Sequence, residues 1–138
     1  MILEGLFQKA GVPLLDKSLD ASAVRQRVRA SNIANVGTEG YRRREVNFED
    51  ELRRVMRGAN PDLAVTDPRH IGQATGIEQV EPQVVVVDDA SLTSGANNVD
   101  VDYEMSELAK NQVLFTTVAQ LLGGRFRSLR SAIRGRSA

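Results

Sequence analysis

Few residues in this chain have a type and spacing that offer chemistry. His70 is the only histidine among 138 residues, and cysteine is absent. A metal centre of the usual kind needs three or four nitrogen or sulfur ligands, so none is expected. Acid–base work by His70 would need a partner acid in a pocket. Its setting, Asp67-Pro68-Arg69-His70-Ile71, reads instead as a turn. Asp100, Asp102 and Glu104 follow the opening spacing of a calcium loop. Met105 then stands where the sixth position requires glycine, and Asn111 where the twelfth requires glutamate. The same carboxylates suit a helix start, with Asp100 as N-cap and Asp102 and Glu104 complementing the dipole. No nucleophile motif, phosphate-binding glycine loop or cofactor fingerprint is present. The expectation is a protein without catalytic residues, cofactor or small-molecule substrate.

Charged and amide side chains offer a second kind of chemistry, recognition of another chain. Arg42, Arg43 and Arg44 follow Tyr41, and Arg125, Arg127, Arg130, Arg134 and Arg136 form a later basic set. Nucleic acid would need these on one surface of a basic domain. The chain has 18 basic and 18 acidic residues, and Glu39, Glu45, Glu49, Asp50 and Glu51 surround the first set. Nucleic acid is therefore not an expected partner. Charge is segregated all the same: eight acids and no base from Glu78 to Glu107, then six bases and no acid from Leu108 onward. Such asymmetry can orient neighbouring chains. Asn32 and Asn35, three apart near a helix end, suit either capping or bonds to the backbone of an adjacent chain.

The element that must position most of these groups is the C-terminal one. Val101, Met105, Leu108, Gln112, Phe115, Ala119, Leu122, Phe126, Leu129 and Ile133 are spaced by threes and fours, and only Gln112 is polar. That period of 3.5 predicts a coiled-coil helix over Val101–Ile133, roughly 50 Å long. Gln112 is the candidate for fixing its register. Gly123-Gly124 predicts a local bend. A second helix is predicted from Leu14 to Asn35, with Pro13 at its start and Gly37 past its end. It carries one stripe with Leu15, Leu19, Ala23, Ala30 and Ile33, and another with Ala21, Val24 and Val28. Two stripes on one slender helix imply neighbours on two sides. The two helices would pair antiparallel, with residues 40 to 98 as an excursion from one end.

That excursion is loop-rich. Thr38 to Tyr41 reads as a turn, and Asn47 as the N-cap of a short helix from Phe48 to Arg57. A short strand is expected at Leu63 to Thr66 and another within Gln79 to Asp88, where Pro82 favours an edge position. Residues 1 to 11 allow one helical turn. No apolar run approaches a membrane span. Met1-Ile2-Leu3-Glu4 lacks the basic start of a cleavable secretory signal, so any route out of the cytoplasm is expected to be another one. Aromatic residues make up only 4%, which suits long helices better than a large core.

Three segments together resemble a known family. Asn32-Ile33-Ala34-Asn35-Val36-Gly37-Thr38-Glu39-Gly40-Tyr41 is similar to the signature of bacterial flagellar rod and hook proteins. That signature has proline where Glu39 stands, and keeps Asn32, Asn35, Thr38, Gly40 and Tyr41. Asn97-Asn98-Val99-Asp100-Val101-Asp102-Tyr103-Glu104-Met105 resembles the entry to the family's C-terminal helix, and Asn111 to Ile133 is similar to its proximal rod members. The resemblance implies a mainly α fold in which long N- and C-terminal helices form an antiparallel coiled coil, with a middle segment holding one short helix and short strands. It divides the chain into residues 1–39, 40–98 and 99–138, together one axial domain. It implies a structural subunit of the proximal rod, packed with copies of itself and other rod proteins into a helical tube. It further implies contact with the rod-base adaptor and the MS ring, and delivery by the flagellar type III export apparatus without signal cleavage.

In that reading the assembly seam is Leu15, Leu19, Ala23, Ile33, Met105, Leu108, Gln112, Phe115, Leu122, Phe126, Leu129 and Ile133. Candidates for contact with another subunit are Val24, Val28, Asn32, Asn35, Tyr41 and Asn98. The alternatives are a standalone coiled-coil adaptor and, on the arginine sets, a nucleic-acid-binding module.

Overall fold

A computed structural model describes residues 11–56, 76–88 and 97–135. In chain order its elements are α1 (Val12–Ala34), β1 (Arg44–Asn47), α2 (Glu49–Met56), a 3-10 turn (Ile77–Gln79), β2 (Gln83–Val86) and α3 (Val101–Ile133). The class is the expected one: two long helices, a short helix and a two-stranded sheet. The helical turn within residues 1–11, the strand at Leu63 to Thr66, His70 and Arg136 lie wholly or almost wholly outside the described residues.

Local chemistry explains the helix ends. Gly11 adopts φ 68, a left-handed conformation that glycine tolerates, and proline occupies the first turn of α1. At the other end the Asn35 N–H donates to the carbonyls of Ser31 and Asn32 at 3.2 and 3.1 Å. The following turn closes with the Tyr41 N–H on the Thr38 carbonyl at 3.2 Å. Gly40 supplies the positive φ of 72 that such a turn needs. Glu39 sits one residue earlier, where proline is merely favourable, so its presence leaves the turn closed. α3 begins where its apolar period begins. Asp100 Oδ1 accepts the Tyr103 N–H at 3.1 Å. α3 runs unbroken through Gly123-Gly124, and a Cβ there would meet only the Arg127 guanidinium at 3.9 Å.

α1 and α3 lie antiparallel. Arg29 meets Glu104, and Ser22 meets Asn111, seven residues apart on each helix. On another side α1 touches β1 and the 3-10 turn. Ala21, Phe48 and Val80 form the small apolar core there, with Val46, Leu52 and Val55 packed against it. The neighbour on the second stripe is therefore the chain's own middle segment, which folds back along α1. Arg25 on α1 also bonds Glu49 on α2 at 2.6 Å.

Two expectations are corrected. Asn47 is the last residue of β1 rather than a helix cap; the Phe48 carbonyl accepts the first helical bond, from the Leu52 N–H at 2.9 Å. β1 pairs antiparallel with the valine run, Arg44 opposite Val86 and Val46 opposite Val84. That long-range pairing overrides the local capping preference. The face that α3 turns to α1 is also different. Its buried residues are Glu104, Asn111 and Val118, one heptad apart. Leu108, Leu122 and Leu129 are half-buried, but Met105, Gln112, Phe115, Phe126 and Ile133 are exposed. That buried row lies one residue, about 100°, from the Met105, Gln112 and Ala119 row of the apolar stripe. No helix among the described residues is long and apolar enough to cross a membrane.

Candidate functional site

The turn of the contact face has a cause in Glu104, whose side chain is 0% exposed. Arg29 Nη1 donates to both its carboxylate oxygens, at 3.0 and 3.1 Å. Arg43, from the loop before β1, approaches the same carboxylate at 3.5 Å and bonds Glu45 at 2.6 Å. Both guanidiniums lie over the Tyr103 ring, 5.4 and 5.2 Å from its centroid. Glu45 and Glu107 each come within 3.9 Å of Arg29. Burying an isolated charge is costly, so each of these groups requires the others. Burial works against the charged form of Arg43, but the attraction and hydrogen bond of Glu45, with Tyr103 and Glu104, outweigh it and hold its pKa above the usual arginine value. A hydrogen bond from Lys110 lowers Glu107, against burial and with help from Arg29 and Arg25. Lys110 is raised in return. The cluster joins α1, the strand entry and α3 at one point.

Four asparagines complete the junction. Asn32 donates to the Arg44 carbonyl at 2.8 Å and accepts the Arg44 N–H at 3.1 Å and the Tyr41 hydroxyl at 3.0 Å. Asn35 Nδ2 bonds the Ser31 carbonyl at 2.7 Å. Asn97 donates toward the carbonyls of Asn35, Val36 and Thr38 at 3.1, 2.7 and 3.1 Å. These carbonyls belong to the turn after α1, where those of Asn35 and Thr38 also accept the Thr38 and Tyr41 N–H groups at 3.0 and 3.2 Å. Asn98 inserts its amide at the start of the sheet: Oδ1 accepts the Arg43 N–H at 2.7 Å and Nδ2 donates to the Val87 carbonyl at 2.8 Å. Further along, Asn111 Nδ2 bonds the Ser22 carbonyl at 2.9 Å and Gln26 Oε1 at 3.0 Å. The chemistry of this arrangement is to clasp three segments, with no nucleophile or free base in it. Among the described residues no group of three or more His, Cys, Asp or Glu is placed to hold a metal.

The sequence-derived residues divide between this clasp and the outside of α3. Asn32, Asn98 and Val28 are buried, and Asn35 and Tyr41 half-buried. Expected at contacts with another subunit, they are used within the chain, because the middle segment brings backbone groups that need them. Val24, Leu15, Leu19 and Ile33 are half-buried and Ala23 is exposed. Gln112 is exposed, and the register contact it was expected to make belongs to its neighbour Asn111. Arg42 pairs with Asp88 at 3.0 Å, Arg43 is buried, and Arg44 lies over the Tyr41 ring, so the three adjacent arginines do not share a surface. On the exposed sides of α3, Met105 is 55% exposed, Val113 67%, Leu121 52% and Ile133 70%. Sequence reasoning missed Arg29, placed Arg43 only in a basic set and Asn97 only in the segment resembling the family's helix entry, and settled on Glu104 as a dipole partner. One signal was present: Glu104, Asn111 and Val118 keep heptad spacing one residue before Met105, Gln112 and Ala119.

No protein-family model matches the chain. Curated relatives do. The chain is 31% identical to the flagellar basal body rod protein FlgB of Bacillus subtilis over 121 residues, 88% of this chain and 91% of the relative. It is 32% identical to FlgB of Borrelia hermsii over 128 residues, 89% and 95% of the two chains. It is also 32% identical to FlgB of Salmonella typhimurium over 132 residues, 91% and 94%.

Proposed function

Since the chain belongs to the FlgB family of flagellar basal body rod proteins, we propose that it self-assembles with copies of itself and other rod proteins into a helical tube that transmits motor torque. The family is one of structural proteins and not a known enzyme family. The observation that carries the proposal is the apolar surface that α3 leaves exposed on several sides. Met105, Val113, Leu121 and Ile133 are large, apolar and more than half exposed. Fully covering such a side chain stabilises by about 1.5–3 kcal/mol. α1 is shorter than α3 and already has neighbours on two sides, so that surface is available to other chains.

In this reading residues 1–39 and 99–138 form the axial pair and 40–98 the middle of one axial domain. The seam across subunits comprises Met105, Leu108, Gln112, Phe115, Leu122, Phe126, Leu129 and Ile133, with Leu15, Leu19, Ala23 and Ile33 at the rim of α1. A heterologous contact that does not close into a ring generates a helical assembly. The proposed setting is the periplasmic rod, reached through the flagellar type III export apparatus without a cleaved signal. The rod-base adaptor and the MS ring are its proposed partners.

Leu121→Asp tests the reading by placing a charge on the exposed face. The variant is expected to be made normally and to be absent from purified basal bodies, with motility lost. Normal incorporation and swimming would overturn the seam.

A further inference from the structure

The two edges of the small sheet are finished differently. The Val87 N–H donates to the Arg43 carbonyl at 2.9 Å, which sets the phase of the ladder. In an antiparallel pair, bonded rungs alternate with unbonded ones. Arg44 faces Val86 and Val46 faces Val84, so the backbone groups of Arg44, Val84 and Val86 point away from the partner strand. On the β1 side the outward N–H and C=O of Arg44 are both taken by the Asn32 amide, at 3.1 and 2.8 Å. Asn32 closes that edge at Arg44 as a strand would. On the β2 side no described residue meets the outward groups of Val84 and Val86.

β2 is guarded only by its four-residue length and by Pro82 just before it. Val84, Val85 and Val86 are 49%, 41% and 57% exposed, so both faces of the strand are open. Residues 82–87 hold no charge, and no bulge interrupts the register. Folded proteins ordinarily guard such an edge with a charge, a bulge or a cover. Charge stands only at its ends, on exposed Glu81 and on exposed Asp88, whose carboxylate also meets Arg42 at 3.0 Å.

We propose that the free edge of β2 is a strand-addition site for an extended segment of a different protein, one with an uncharged β-branched core and basic residues at its ends. Backbone bonds to Val84 and Val86 supply the affinity and the flanking charges the choice of partner. A second copy of β2 fits poorly. Antiparallel self-pairing brings the Glu81 end of one copy beside the Asp88 end of the other, and parallel self-pairing stacks like on like. Both place carboxylates together across the strands.

The experiment uses the full chain and a fluorescent peptide of alternating valine and threonine with lysine at each end. Saturable binding is expected, with amide exchange slowed at Val84 and Val86. Val84→Pro removes an outward donor and leaves the β1 rungs intact, as an edge strand tolerates. It is expected to weaken binding at least tenfold with an unchanged thermal melt. Two probes need no variant: the peptide methylated on alternate amides, and the peptide with glutamate ends, each expected to bind at least tenfold more weakly. No binding, equal binding by either altered peptide, or protection elsewhere than β2 would overturn the proposal. So would protection of Val84 and Val86 that rises with concentration of the protein alone.

Discussion

The two halves of α3 are built from the same period but put to different uses. In the first half, near Asn97 and up to Asn111, the residues turned inward are polar: Glu104 and Asn111, with Asn97 and Asn98 just before the helix. Beyond Asn111 the helix carries Val113, Leu114, Phe115 and Leu121 toward solvent, together with arginines and no acid. Apolar contact is non-directional, so an apolar seam accepts slippage by a heptad. Hydrogen bonds and ion pairs are directional and reject it. The polar half can therefore hold one register within the chain, and the apolar half can be left for other chains to cover.

The comparison breaks first at Glu104. Glu104→Ala removes both direct hydrogen bonds of the buried Arg29 guanidinium and one of the two carboxylates beside Arg43, and is expected to destabilise by about 3–5 kcal/mol in urea unfolding. Replacing Glu104, Arg29 and Arg43 together by apolar residues is expected to recover much of that loss; a triple variant as unstable as the single one would show net stabilisation by the charges themselves. Next comes Asn98→Ala, which leaves the Arg43 N–H and the Val87 carbonyl without these bonds, at about 1–3 kcal/mol. Loss of the β1–β2 amide protection in hydrogen exchange should accompany it. Glu39→Pro restores the residue of the flagellar signature at a turn position with negative φ, and should stabilise by about 0.4–1 kcal/mol through the unfolded chain. On the far half, Leu121→Asp should change monomer stability by no more than about 0.5 kcal/mol while abolishing incorporation. A large loss of monomer stability there would mean that the outer face is part of the monomer's core.

The smallest effect is pH-dependent. Glu107 is held below its usual value in the folded chain, chiefly by Lys110. Its contribution is present above the unfolded carboxylate pKa and is lost as pH falls through the lower folded value. Lys110 is raised, so its contribution is lost only at alkaline pH, as pH rises through the folded value. Glu107→Gln should therefore lower stability slightly at neutral pH, leave it almost unchanged at acid pH, and so flatten the acid limb of the stability curve. An unaltered acid limb in urea titrations below pH 5 would remove Glu107 from the account.

Much of the fold was legible. The span of α3 and its cap at Asp100 coincide with the apolar period and the Asp-Val-Asp start. α1 is displaced from its predicted ends by only two residues and one. β2 follows from Val84 to Val87. β1 was not legible, because Arg-Glu-Val-Asn has no strand signal of its own and pairs only because the valine run is brought beside it. The clasp was half legible: the flagellar signature marked Asn32, Asn35 and Tyr41 as important, but it could not say that their partners lie inside the chain.

What the sequence determined by itself is what short-range physics settles: where the helices run, how they are capped, and that α3 carries more apolar surface than one neighbour can cover. What only the tertiary structure decided is which face of α3 is turned inward. Glu104 and Arg29 lie 75 residues apart in the chain, and Asn111 and Ser22 lie 89 apart. No local preference links such pairs. A buried carboxylate must find a cation wherever the chain brings one, and that requirement turned the helix away from its own apolar stripe.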